Sequence, residues 1–276
     1  MTYLELTNEQ KTILRELKNL LDFGYGQVSK KEYPRKMRPR KTILFSMMAA
    51  IHSYSEGIYY LLLEARTHSA EVLLRPVVEA FINLAYVYVG RNERNAVTFL
   101  LDDIYDKENM AGKFKQFITK HPKYKTNWEG MENEGDLDNF ILDRKKEIEN
   151  ITKHYTYRIG QLPDLRQRAE VYDKSREPKY KRELRDRLEW RYLTMYWYFS
   201  NLTHLGAKGL DSFFSKDPNG QVVVSAIGKP EDIKRIALTT YDFYYRFLSF
   251  FCKQFNVTDS GELSEFRNKF GGLVKN

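Results

Sequence analysis

Apolar residues recur at helical spacing through most of the chain. Near the N-terminus Ile13, Leu14, Leu17, Leu20 and Leu21 fall on one face, Thr7 with Gln10 has the form of a capping box, and Gly24 and Gly26 mark the expected stop. The same period predicts helices over residues 42–66, 69–89, 93–119, 137–153, 164–173 and 179–205, with Gly90 and Gly206 as terminators of the second and the last. Pro230 followed by Glu231 and Asp232 opens a further helix that should reach about residue 255. The stretch HPKYKTNWEGMENEGD, from residue 121, reads as a loop. KDPNGQVVVSAIGKP joins a turn signal to a β-branched run, which predicts a short extended or hairpin excursion near 216–229, too small to found a sheet domain. The expected fold class is therefore all-α, a multi-helix, bundle-like domain. Residues 1–41 read as an N-terminal helix and a basic connector, and 42–276 as the main helical domain.

One run departs from a simple apolar pattern. In EVLLRPVVEAFINLAYVYVG, residues 71–90, Arg75, Glu79 and Asn83 stand four apart among leucines, valines and phenylalanine. Four residues turn a helix by about 400°, so the three side chains form one stripe on a face with apolar flanks. Arg75 also precedes Pro76, which cannot donate to the carbonyl of Val72 and disfavours helical geometry at Arg75. The helix should kink or begin there. A buried cation needs a partner, and Glu79 one turn on is the nearest.

Two neighbouring patterns extend the polar set. AIHSYSEGIYYLLLEAR carries His52 and Glu56 four apart, and YLTMYWYFSNLTHLGAKG carries Asn201 and His204. If these helices pack on the stripe, His52, Glu56, Asn83 and Asn201 would surround Arg75, Glu79 and His204, placing an acid, a base and an anion binder around one pocket. The other reading of the same residues is a satisfied structural network.

Charge adds a second feature. The formal net charge is +8, and residues 30–41, KKEYPRKMRPRK, hold Lys30, Lys31, Arg35, Lys36, Arg38, Arg40 and Lys41 with two prolines. Such a connector suits RNA or DNA phosphates or an acidic protein partner, and equally a solvated loop. Residues 166–191 are also rich in cations but alternate them with acids, the pattern of a solvated helix face. The single cysteine, Cys252, excludes an internal disulfide and a multi-cysteine metal site. Its aromatic surroundings read as packing.

There is no Gly-rich phosphate loop, G-x-S-x-G elbow, HExxH pair or Glu-x-x-His, so neither a cofactor nor a metal site is expected. The N-terminus lacks the pattern of a signal peptide, and Glu79 and Asn83 interrupt the longest apolar run, so the expected place is the cytoplasm with no membrane span. Twenty tyrosines and 17 phenylalanines suit a homodimer interface as well as a large core.

Residues 71–83, with Arg75, Pro76 and Glu79 in LLRPVVEA, and the later element from Tyr196 or Tyr198 to His204 resemble an uncharacterised, mostly bacterial all-helical domain family of unknown function. The resemblance spans about residues 45–205 and implies a helical fold without an established reaction. A looser similarity is to the HEPN helical ribonucleases of toxin and phage-defence systems, whose arginine and closely following histidine act at the ribose 2′-hydroxyl. None of His52, His68, His121, His154 and His204 has an arginine at that spacing, so such an activity would need Arg75 and His204 to meet from different helices. The expected function is an interaction or sensing protein of a bacterial defence or stress locus that contacts nucleic acid through its basic connector. The alternative is a metal-independent ribonuclease, with His204 as acid or base and Arg75 on the phosphate.

Overall fold

The computed structural model describes residues 5–29, 38–90, 93–122, 134–155, 161–176, 187–203, 214–216, 219–224, 228–257 and 261–275. Its helices are α1 (Asn8–Ser29), α2 (Pro39–Leu63), α3 (Thr67–Val89), α4 (Arg94–Lys120), α5 (Glu134–Lys153) and α6 (Leu165–Arg176). α7 is composite: Leu188–Arg191, a π-helical turn Tyr192–Tyr196, and Trp197–Thr203. Strands β1 (Phe214–Lys216) and β2 (Val222–Val224) precede α8 (Asp232–Phe255) and α9 (Glu262–Lys275). The fold is all-α with one small excursion. β1 and β2 pair antiparallel, Phe214 opposite Val224, so the hairpin expected near 216–229 is present and starts two residues earlier. Gly220 lies in the intervening turn at φ 80°, a conformation that glycine adopts without steric cost.

By contact the chain divides into two units, residues 1–37, 41–86 and 164–276, and residues 38–40 and 87–163. In the larger, α8 is the central element. Its Tyr241, Phe243, Tyr244, Phe247 and Phe251 are buried, and each such ring contributes roughly 1.5–3 kcal/mol by leaving water. Phe243 and Phe250 meet Phe81 of α3, Phe250 also meets Tyr172 of α6, and Phe251 and Phe255 meet Phe45 of α2. α1 packs on α8 through Ile13, Leu14, Leu17, Leu20 and Leu21. Its capping box forms as the sequence implies, Thr7 N–H donating to Gln10 Oε1 at 2.9 Å and Gln10 N–H to Thr7 Oγ1 at 3.2 Å. Gln10 then donates onward to the Pro230 carbonyl at 2.9 Å, fastening the start of α1 to the approach to α8.

α1 does not stop at Gly24 or Gly26 but runs to Ser29. Gly24 serves packing: a Cβ there would lie 2.0 Å from the Tyr244 hydroxyl, so only glycine lets α1 approach α8 so closely. α2 begins at Pro39, in the position where proline's missing N–H costs a helix nothing, so Arg40 and Lys41 are helical rather than part of a connector. α3 does not begin at Pro76, which lies inside it. Val72, whose carbonyl loses its helical donor, is on the exposed side of α3, where water can serve that oxygen. α9 had no counterpart in the sequence reading. Its Leu263 and Phe266 are buried, and Tyr241 of α8 donates to the Phe266 carbonyl at 2.9 Å.

The smaller unit rests on α4 against α5. Val97, Leu101 and Ile104 pack with Ile148, Ile151 and Tyr155, and Ala111 and Ile118 pack with Leu137, Phe114, Phe140 and Ile141. Arg40 tends the turn between α3 and α4: its guanidinium donates to the Gly90 carbonyl and its N–H to Glu93 Oε2 at 2.7 Å. A cation there suits the carbonyl-rich end of α3.

α3 has the length and apolarity to cross a bilayer, with a mean hydropathy of 1.5 in its most apolar window, but 56% of that window is buried inside the protein. It reads as the core helix it packs as.

Candidate functional site

The stripe on α3 is longer than Arg75, Glu79 and Asn83. Glu71 stands one turn before Arg75 at the same spacing and is the most buried of the four, 2% exposed. Its members face three partners in the larger unit, Arg235, Tyr196 and Arg168. The carboxylate of Glu71 is paired with Arg235 of α8, which also bonds Asp232 Oδ1 at 3.0 Å, and the Arg235 guanidinium lies 5.8 Å from the centre of the Tyr198 ring of α7. Burial first, and then the negative charge of Glu71, push the Tyr198 hydroxyl up from its ordinary value, so it stays protonated and able to donate. His68, one turn before Glu71, is buried with Nδ1 3.9 Å from the Glu71 carboxylate. Gly228, at φ 92°, passes so close to the first turn of α3 that a Cβ would lie 2.1 Å from Thr67 Oγ1.

Arg75 and Glu79 are half-buried and share Tyr196 of the π turn. Arg75 Nη2 lies 3.4 Å from the Tyr196 hydroxyl, with its guanidinium 5.5 Å from the ring centre, and the hydroxyl lies 3.5 Å from Glu79 Oε2. Tyr196 is in turn stacked on Tyr192, with centroids 5.1 Å apart and planes 17° apart. Both rings belong to the π turn, which is closed by the Trp197 N–H donating to the Tyr192 carbonyl. Asn83 is buried and its Oδ1 accepts from Arg168 of α6 at 2.6 Å. α6 also holds the start of α7, since the buried Asp173 accepts from the backbone N–H groups of Leu188 and Glu189 at 3.0 and 2.9 Å. A carboxylate at a helix N-terminus is stabilised by the orphan donors and by the helix dipole.

The residues expected around this stripe are placed differently. His52 of α2 shares a 2.7 Å hydrogen bond with Tyr244 of α8, and its ring lies 5.6 Å from that of Tyr25. Burial pushes its pKa down, with the charge of the half-buried Glu56 opposing, and burial pushes the Tyr244 hydroxyl up. Asn201 donates to the Trp197 carbonyl of its own helix at 2.8 Å. His204 lies outside the described residues. The structure thus brings Arg75, Glu79 and Asn83 onto one seam with α6 and α7, and sets His52 beside α1 and α8.

Of the basic segment, Lys30, Lys31, Arg35 and Lys36 lie outside the described residues. Lys41 holds its ammonium 5.7 Å from the centre of the Phe255 ring, and Arg40 is spent on Gly90 and Glu93. Sequence reasoning also missed Glu71 and Arg235. Glu71 was visible as a fourth position at the spacing of four, whereas Arg235 looked like an ordinary first-turn cation of α8.

On its outer face α7 presents Trp190, Leu193 and Trp197, of which the two tryptophans are 40% and 52% exposed. The exposed side chains of Arg166 and Lys174 on α6 and of Arg187 before α7 lie on the elements packed beside them, Arg166 being paired with Glu189 at 2.9 Å. Among the described residues there is no group of three or more His, Cys, Asp or Glu placed to hold a metal ion.

No curated protein and no solved structure matches the chain. The model of one family does, over residues 41–222, a span that takes in α2 to α7 and with them the whole Glu71–Asn83 stripe and its Tyr196 and Arg168 partners. The chain therefore belongs to the family of unknown function DUF5677.

Proposed function

We propose that the protein is a helical interaction protein of the cytoplasm that binds single-stranded nucleic acid, with the outer face of α7 as its stacking surface. The observation that carries this reading is the exposure of Trp190 and Trp197 on a helix whose inner face is fully engaged with α3 and α6. Leaving two indoles in water forgoes a large apolar gain, and a tryptophan offers any base a face to stack on, worth about 1–3 kcal/mol per base. The net charge of +8 supplies attraction to phosphate, and Arg187 and Lys174 stand on the elements beside the tryptophans. The ribonuclease alternative asks Arg75 to serve a phosphate from its place over the Tyr196 ring.

The test is anisotropy of a labelled oligouridylate titrated with the full chain over a series of salt concentrations. Binding should weaken steeply with salt, and Trp190→Ala and Trp197→Ala should each reduce affinity by about 5- to 100-fold, the range of one lost stacking contact. Equal affinity of both variants and the parent would overturn the reading, and so would metal-independent cleavage of the oligonucleotide that His204→Ala abolishes.

A further inference from the structure

Between α7 and the start of α8 lies a cleft of about 630 Å³. Thr194 and Tyr198 line its α7 wall, each one position after an exposed apolar residue of the outer face, Leu193 and Trp197, so the cleft opens beside that face. The buried Phe199 adds apolar surface to the same wall. A strand stacked on Trp197 brings its next nucleotide to the mouth of this cleft.

The charges in the lining are of two kinds. Arg235 and Asp232 are spent on each other and on Glu71. Lys229 and Glu231 are exposed, and neither side chain has an ion pair or a hydrogen bond among the described residues. Glu231 is the more telling of the two. It is the N-cap residue of α8, the position from which a side-chain oxygen can serve the first-turn N–H groups, yet it makes no such bond. Its carboxylate is left for what enters the cleft.

We infer that the cleft takes one base of the bound strand and reads it as guanine, with Glu231 and Lys229 as the specificity residues, an inference that rests on α7 being the stacking face. Bases of single strands are read on their Watson–Crick edges, and on that edge guanine sets two adjacent donors, the 2-amino group and N1–H, beside the acceptor O6. A carboxylate accepts from two adjacent donors at once, and the Lys229 ammonium, two residues away, can donate to O6. The other bases offer no such pair of donors. The N3–H of uracil lies between two carbonyl oxygens, and adenine and cytosine set a single amine beside a ring nitrogen that accepts. Against any of these one oxygen of Glu231 would face an acceptor and go unpaired, which is a penalty on the wrong base as well as a lost bond. A phosphate is a poorer occupant, because the unpaired carboxylate of Glu231 would meet it as a like charge.

The test is anisotropy competition on the full chain, with a labelled all-uridine nonamer displaced by unlabelled nonamers that carry uridine, adenosine, inosine or guanosine at the central position of a uridine strand. The guanosine strand should bind about 5- to 150-fold tighter than the uridine or adenosine strand, the discrimination of one good bidentate pair. Inosine, which lacks the 2-amino group, should fall between. In Glu231→Gln the guanosine and uridine strands should bind alike, and because Glu231 is exposed the exchange leaves the fold intact. Equal affinity of the parent for the guanosine and uridine strands, or a guanosine preference that survives in Glu231→Gln, would overturn this inference and leave the stacking face standing. Failure of every strand to bind would overturn both.

Discussion

The carboxylate of Glu71 on α3 is paired with the guanidinium of Arg235 on α8, 164 residues away in sequence. Glu71 is 2% exposed while Arg235 keeps 44% of its side chain in solvent, so the acid bears the larger desolvation and depends on the pair. Arg235→Ala should therefore destabilise the larger unit by about 3 kcal/mol, the low end of the range for stranding a buried charge, because water reaches the arginine side. Glu71→Gln in the Arg235→Ala background should restore part of that loss by removing the stranded charge. Urea denaturation of the parent and the two variants checks it, and a double variant no more stable than Arg235→Ala would show that Glu71 is not the charge at issue.

Arg75 is tied more loosely. It is half-buried, and its contacts to Tyr196 at 3.4 Å and through it to Glu79 at 3.5 Å are long. The removal of such a cation from a ring face costs less than stranding a sealed charge, so Arg75→Ala should lose about 1–2 kcal/mol. Tyr196→Phe, which keeps the ring and the stack on Tyr192, should lose under about 1 kcal/mol. Tyr196→Ala should exceed both, because the π turn would lose the aromatic contact that seats it. Thermal melts of the three in one buffer read the order directly.

How much of this was legible follows from what each signal depends on. All helices but α9, and the hairpin, were readable because amphipathic period and turn chemistry are local, and the α3 stripe was readable because a spacing of four is a statement about one helix. The C-terminal end of α1 was not. Gly24 looks like a helix stop from its own residue type, and only the Tyr244 hydroxyl, 220 residues further on, explains a glycine inside a continuing helix. Pro76 left open whether α3 begins there, and it does not, since a proline within a helix is tolerated where the carbonyl it frees faces solvent. The partners of the stripe were hidden for a stronger reason. Tyr196 reaches Arg75 and Glu79 through a π turn, and a one-residue change of helical register has no periodicity signature in so short a segment. The assembly of His52, Asn83 and Asn201 around Arg75 assumed that polar residues on three helices converge, and packing gave His52 to α8 instead.

His52 carries the clearest pH dependence in the larger unit. Its ring is partly buried against Tyr25 and Tyr244, and burial lowers its pKa below the ordinary 6.5 in spite of the nearby Glu56. The unfolded chain therefore takes up a proton at this residue more readily than the folded one. Stability is full above pH 6.5 and falls as the pH drops through that value, levelling off only once the lowered native pKa has been passed. A His52→Gln variant keeps a hydrogen-bonding group for the Tyr244 hydroxyl but does not titrate. It should show a smaller decline in unfolding free energy between about pH 7 and pH 5 than the parent, the difference being the contribution of His52 to the slope. Urea denaturation at half-unit pH steps measures it. Parallel pH profiles for parent and variant would mean that His52 titrates alike in the folded and unfolded chains, and that its bond to Tyr244 does not hold it neutral.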